Sequence, residues 1–236
     1  MKLFYCLLFT CLSITIFANN LSDSTKKTWQ FHGIIQLNNN GISPVPAFSL
    51  GKPALMTSFF IQKGGFTFSP EFNYGLDGKP WVVNQWLRYH QQHGRFLFRT
   101  GANMSLFFGR VNSEVKLNQY LALEGVASYQ MSAKSSLNLL YWNSQGLDPT
   151  AVKSGHFLSL SASISKIPVT KSLLLELRPN LFYLSNTIPF KGLFISAITS
   201  ISHKKYPISI FSQAVQPISV KPTTNFNWNY GLNYIF

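Results

Sequence analysis

Residues 88–99 read Arg-Tyr-His-Gln-Gln-His-Gly-Arg-Phe-Leu-Phe-Arg. Arg88, His90, Arg95 and Arg99 alternate with aromatic or apolar neighbours, and on extended strands such alternate residues share one face. A turn over 91–94 would set His90 opposite Arg95 and Arg88 opposite Leu97. Diagonal neighbours on one face of a sheet lie about 7–8 Å apart, within reach of an arginine. The chemistry of this group is electrostatic: a basic patch that draws anions. Glu71, Glu124 and Glu176 are the carboxylates on comparable alternate positions, and Arg178 stands two residues from Glu176. Left unneutralised in a channel, the arginines form a constriction that favours anions. Paired with the glutamates, they fill and stiffen a narrow lumen instead.

Other chemistries find little support. The five histidines are scattered and give no zinc-ligand spacing. Asp23, Asp77 and Asp148 fall in leader or loop positions, and no paired-carboxylate or phosphate-loop arrangement is present. His156 precedes Ser159 by three residues, which puts them on opposite faces of a strand. Both cysteines, Cys6 and Cys11, lie in the first segment. No catalytic residue, metal or cofactor is expected, and the protein is not read as an enzyme.

The elements that must position the charged group are strands. Apolar residues make up 46% of the chain and charged residues 11%, well below the roughly 25% of an ordinary soluble domain. Yet beyond the N-terminus there is no apolar run of the roughly 20 residues that a transmembrane helix needs. Alternation with one face in lipid reconciles the two observations. Phe31, Ile35 and Leu37 alternate with His32, Gln36 and Asn38. Phe66, Phe68, Phe72 and Tyr74 alternate with Thr67, Ser69, Glu71 and Asn73. Trp81, Val83, Leu87 and Tyr89 share a face, as do Phe96, Phe98, Ala102 and Met104. Similar runs cover 136–142, 158–164, 173–183 and 226–236. Four further segments, 53–62, 118–130, 193–202 and 207–215, alternate less cleanly. The total is about twelve strands, each of the roughly ten residues that cross a bilayer.

The connections alternate too. Short ones are expected after the second, fourth, sixth and tenth strands. Longer ones are expected at 38–52, 105–117, 143–154 and 216–225; as exceptions, 166–172 is middling and 75–80 is short for a loop. This places both chain termini on the short-turn side, which an even strand count requires. Lipid offers no partner to a free N–H or C=O, so the sheet must close on itself. The fold expectation is an all-β, antiparallel, up-and-down transmembrane β-barrel over 29–236.

Residues 1–18 carry Lys2, an apolar run and then Ala18, the pattern of a cleaved secretory signal peptide. Residues 19–28 read as a short periplasmic leader. A lipoprotein reading through Cys11 fits the preceding Phe9-Thr10 poorly. Cleavage after Ala18 leaves no cysteine for disulfides or thiolate ligands. The balance is basic, 20 Lys+Arg against 7 Asp+Glu. The only adjacent pairs, Lys26-Lys27 and Lys204-Lys205, fall in connections, so no nucleic-acid partner is expected. The lysines either meet anionic head groups and solutes or are solvated turn residues.

The last strand narrows the reading. Phe226, Trp228, Tyr230, Leu232, Tyr234 and Phe236 form one apolar row that ends on an aromatic residue. It resembles the closing strand of bacterial outer-membrane β-barrel proteins. That resemblance implies residence in the Gram-negative outer membrane, with its lipids as surroundings, and recognition of this strand by the barrel-assembly machinery. A soluble lipocalin-like barrel would face its apolar side inward and leave the aromatic rows without an interface. Lipid hydrolases among outer-membrane barrels resemble one another in a His-x-Ser pairing, which this chain lacks. Functionally, a small passive pore for small solutes, leaning toward anions, is expected. A structural or adhesive barrel with a plugged lumen is the alternative.

Overall fold

The computed structural model describes residues 28–41, 49–111, 114–187 and 190–236. The signal-peptide and leader expectations, apart from Thr28, lie outside the described residues. The described chain forms twelve antiparallel strands closed into a single barrel. In order they are β1 (Gln30–Asn38), β2 (Ala54–Lys63), β3 (Phe66–Gly75), β4 (Pro80–His93), β5 (Phe96–Val111) and β6 (Glu114–Ser132). The circuit continues with β7 (Ser135–Gly146), β8 (Ser154–Pro168), β9 (Leu173–Asn186), β10 (Lys191–His203), β11 (Ile208–Lys221) and β12 (Asn227–Ile235). Each strand pairs with its sequence neighbours, and β12 returns to β1.

Period-two alternation sets the faces. Leu87, Phe98, Met104, Leu123, Leu139, Leu158 and their kind project outward and are exposed. Phe226, Trp228, Tyr230, Leu232, Tyr234 and Phe236 all lie on this outer surface. At the seam the Phe236 amide donates to the Gly33 carbonyl (3.0 Å), and Gly33 N–H donates back to Phe236 O (2.8 Å). The Phe236 ring lies over Gly33 itself. A Cβ built on Gly33 would stand 2.5 Å from Phe236 Cζ, so a larger residue there displaces the ring. Phe59 meets the same ring edge-on at 6.0 Å between centroids.

The expected connection lengths are the first point to correct. The connection expected over 105–117 is mostly strand: β5 runs to Val111 and β6 starts at Glu114, giving strands of 16 and 19 residues. Tilted strands rise about 2.6 Å per residue along a barrel axis, so β6 spans ~50 Å while the lipid-facing band is about 25 Å tall. The hairpin therefore stands well beyond the membrane band. Outside lipid nothing enforces strict alternation, and Leu106-Phe107-Phe108 reads there as an irregular stretch. The connections at 143–154 and 216–225 shrink in the same way to 147–153 and 222–226.

The interior is the second correction, because a uniformly polar lumen was expected. One wall is apolar. Phe157, Phe182, Leu184, Phe194 and Val215 form a buried cluster, with Leu140, Trp142, Phe190 and Val220 packed against it. Phe194 is 0% and Phe182 1% exposed. Their rings stack at 4.9 Å, Phe157 meets Phe182 at 5.6 Å, and Trp142 meets Phe157 edge-on at 6.2 Å. Trp86, projecting from β4, touches Trp142 of β7 at 5.9 Å and extends this arc onto the opposite, polar wall.

Candidate functional site

The polar wall is built by β3 to β6. His90 pairs with Arg99 and Arg88 with Gly101. The expected partners, Arg95 and Leu97, are each displaced by four residues. The cause is the turn. Gly94 takes φ +58°, a left-handed value that glycine adopts without strain, and a two-residue turn Gly94-Arg95 lets His93 pair with Phe96. A four-residue slip preserves the faces, so Arg88, His90 and Arg99 still point inward. Arg95 does not join them: it sits exposed in the turn at the barrel end.

Arg88 and Arg99 converge on one carboxylate. Arg88 Nε donates to Glu124 Oε1 at 2.8 Å. Arg99 Nε lies 3.0 Å from the same oxygen, at an angle that makes an ion pair without a hydrogen bond. The Glu124 side chain is 5% exposed, Arg88 16% and Arg99 37%. Arg88 and Glu124 belong to strands two apart, and Gly101 is the residue between them. A Cβ at Gly101 would stand 2.9 Å from Arg88 Cγ and 3.1 Å from Glu124 Cγ, so the missing side chain is the space through which the two meet. The Arg88 guanidinium also lies 4.1 Å over the Trp86 ring, a cation–π contact that ties the charged layer to the aromatic arc.

Glu176 and Arg178 face inward on β9 and pair with each other at 2.5 Å, apart from this layer. Glu71 stands differently again. It has no cationic partner within ion-pair distance among the described residues. Its Oε2 accepts from Asn84 Nδ2 at 2.9 Å. Asn84 is held in turn by Ser105 Oγ, which donates to its Oδ1 at 2.7 Å, while Asn103 Nδ2 donates to Ser105 Oγ at 2.6 Å.

Glu71 and Asn84 line a cavity of 590 Å³ in the half of the barrel nearer the longer connections. Leu50 and Val152 of the longer connections and Asn186 at the end of β9 line it, together with Ala122, Trp142 and Phe157 of the strands. Trp81 also lines it and is only 8% exposed. Trp81 was expected on the outer face with Val83 and Leu87. An irregularity in the β3–β4 pairing at Asn73/Tyr74 turns it inward. A bulge of this kind leaves no mark on the alternation of either strand, so sequence reasoning had no signal for it.

Asp77 in the β3–β4 turn accepts from Lys52 Nζ at 2.6 Å, with Lys79 Nζ at 3.5 Å. The Lys52 hydrogen bond, aided by Lys79, lowers the Asp77 carboxyl from its ordinary 3.8 to about 2. A depressed acid contributes its stabilisation above the ordinary value and loses it as pH falls through the lowered one. The Lys52–Asp77 clip should thus persist from neutral pH down to the interval between 3.8 and about 2. Carboxyl NMR titration should place Asp77 near the bottom of that interval, and Lys52→Gln should return it toward the top. A midpoint indifferent to Lys52→Gln counts against the clip.

Among the described residues no three His, Cys, Asp or Glu side chains gather as a metal-binding group. His156 faces outward with Tyr141 Oη at 2.8 Å, while Ser159 faces inward and donates to Asn180 Oδ1 at 2.7 Å.

No protein-family model matches the chain, and no curated protein matches its sequence. Solved structures do. An outer-membrane channel from Pseudomonas putida F1 superposes with a TM-score of 0.54 at 9% identity, covering 92% of this chain and 99% of its own. The KdgM porin, in complex with disordered oligogalacturonate, gives 0.54 at 12% identity over 87% of this chain and 99% of its own. The NanC porin gives 0.54 at 11% identity over 86% and 98%. The chain has the fold of an outer-membrane β-barrel. Identities this low speak for the fold alone. The outward aromatic rows of this barrel, with the ion pairs of β4, β5, β6 and β9 held inside, suit a lipid-facing surface.

Proposed function

We propose that the chain is a narrow passive pore for small solutes in the Gram-negative outer membrane. The observation that carries this reading is a closed twelve-strand barrel that holds a cavity, lined in part by residues of the longer connections, and a charged layer in its lumen. The similarity to a channel and two porins supports it. Export through a signal peptide at 1–18, and delivery of β12 to the barrel-assembly machinery, belong to the same proposal.

The selectivity part is finer. The layer sets two guanidinium groups, Arg88 and Arg99, against the one carboxylate of Glu124. It leans toward anions, but less than three free arginines would, because Glu124 absorbs much of the field and Arg95 is outside it. Planar-bilayer recording under a salt gradient tests both parts. The expected result is a steady small current with a mild anion preference. A cation preference overturns the selectivity assignment, and silence from a folded, inserted barrel overturns the pore. Silence would favour a structural barrel. The observation behind that second reading is the aromatic arc, in which Phe182 and Phe194 leave almost no free surface on their wall.

A further inference from the structure

We infer that the loop-side cavity is a binding site for a small compound with a flat apolar body and a cationic head that donates hydrogen bonds, the head directed at Glu71. This goes beyond the pore reading and does not depend on it. Three observations carry it.

The first is the lining. Trp81, Phe107 and Tyr120 supply aromatic surface on one side, and Trp142 and Phe157 add to it. Phe107 and Tyr120 are fixed edge-to-face at 5.3 Å. A cavity of 590 Å³ with a few convergent polar groups suits a compound of modest size.

The second is charge. Among the described residues no lysine or arginine lines the cavity, and Glu71 is the one carboxylate that does. The inward carboxylates Glu124 and Glu176 each have an arginine in contact, whereas Glu71 has none within ion-pair distance among the described residues, Arg88 reaching it only as a longer-range charge. A carboxylate facing an apolar cavity without a counter-ion is selective by omission. An ammonium or amidinium head would supply the missing charge, while a carboxylate head would meet repulsion.

The third is preorganisation. The Asn103–Ser105–Asn84 chain fixes Asn84 so that its amide donates to Glu71 Oε2. That leaves the other carboxylate oxygen as the acceptor for a ligand. A site held this way loses little freedom when it binds.

The test uses the full-length protein in a non-ionic detergent, with the fluorescence of the lining tryptophans as readout. Three probes share one ring and differ in the head: 2-phenylethylamine, 2-phenylethanol and phenylacetate. The amine should bind roughly tenfold or more tightly than the carboxylate, with the alcohol between them, as a single desolvated charge contact implies. Glu71→Gln keeps the shape and the Asn84 contact. It should bring the amine and the carboxylate to within about twofold of each other, the order left when the fixed charge is gone. Asp77→Asn removes the acidic group of the β3–β4 turn and should leave the wild-type order intact. Equal or tighter binding of phenylacetate, or a preference that survives Glu71→Gln, overturns the inference. A preference lost in Asp77→Asn also overturns it, since the selectivity would then belong to the rim. A barrel that is silent in bilayers yet shows the expected order keeps this site and loses the pore.

Discussion

Replacing Glu124 with glutamine should destabilise the barrel and change its permeation together. Glu124 is buried and serves two cations, so its removal strands the Arg88 charge at a site where the carboxylate was its ion-pair partner. Breaking a buried pair by deleting one member costs about 3–5 kcal/mol. Arg99 is more than a third exposed and adds little to that figure after solvent screening. The temperature at which the folded band is lost on an unheated denaturing gel should fall clearly in Glu124→Gln. If the barrel conducts, its anion preference should rise, because both guanidinium groups are released. The double variant Arg88→Gln/Glu124→Gln should recover much of the stability, a coupling that a double-mutant cycle reads directly. Gly101→Val, which replaces neither charged residue, should imitate Glu124→Gln by closing the space where they meet. A Glu124→Gln barrel as heat-resistant as the parent, with unchanged reversal potential, would sink the assignment.

The second large effect is expected at the seam. Gly33→Val places a branched side chain where the Phe236 ring lies, and the nearest approach of even a Cβ is 2.5 Å. β1 and β12 share a shorter paired stretch than most neighbours, five residue pairs from Ile34↔Ile235 to Asn38↔Gly231. The Gly33–Phe236 hydrogen-bond pair extends that ladder at its end. Displacing the ring should therefore lower the yield of folded, membrane-inserted protein severely. Phe236→Asp should do the same, whereas Asn233→Ser on the lumen side should be mild. A charge on the lipid face costs about 2–4 kcal/mol at mid-membrane and less near the interface, so most of the Phe236→Asp effect is lost closure of the seam. Gly33→Val/Phe236→Ala should regain yield relative to Gly33→Val, since the smaller residue vacates the space. Equal membrane yields for Phe236→Asp and Asn233→Ser would contradict this account.

The barrel itself was legible in the sequence because lipid imposes a rule on every strand that crosses it. Phe66, Phe68 and Phe72 against Thr67, Ser69 and Glu71 can be satisfied only by one face out and one face in. The same rule explains what was not legible. Gly192-Leu193-Phe194-Ile195 is apolar on both faces, so β10 reads weakly as a strand. That weakness is itself the trace of a lumen wall made of Phe194 and its neighbours. The β5–β6 extension rises past the lipid and loses the alternation with it. Charged partners were partly legible: Arg88, Arg99 and Glu124 could be assigned to the inner face by parity. Their meeting could not, because it depends on a two-residue turn at Gly94-Arg95 and on an absent side chain at Gly101. Glu71 could likewise be placed inside, but its lack of a contacting cation emerges only when Arg88 and Arg99 are seen to share Glu124 and Arg178 to take Glu176.

The bridge across Gly101 also limits how this chain can change over generations. Positions 88, 101 and 124 lie on three strands, yet they act as one inherited unit. A neutral residue at 124 is harmful while arginine remains at 88, and a side chain at 101 is harmful while both charges remain. The permitted order of change therefore starts at Arg88, whose loss leaves Glu124 still matched by Arg99. Only after that step does position 101 become free to acquire a side chain, and with it a lumen of another shape.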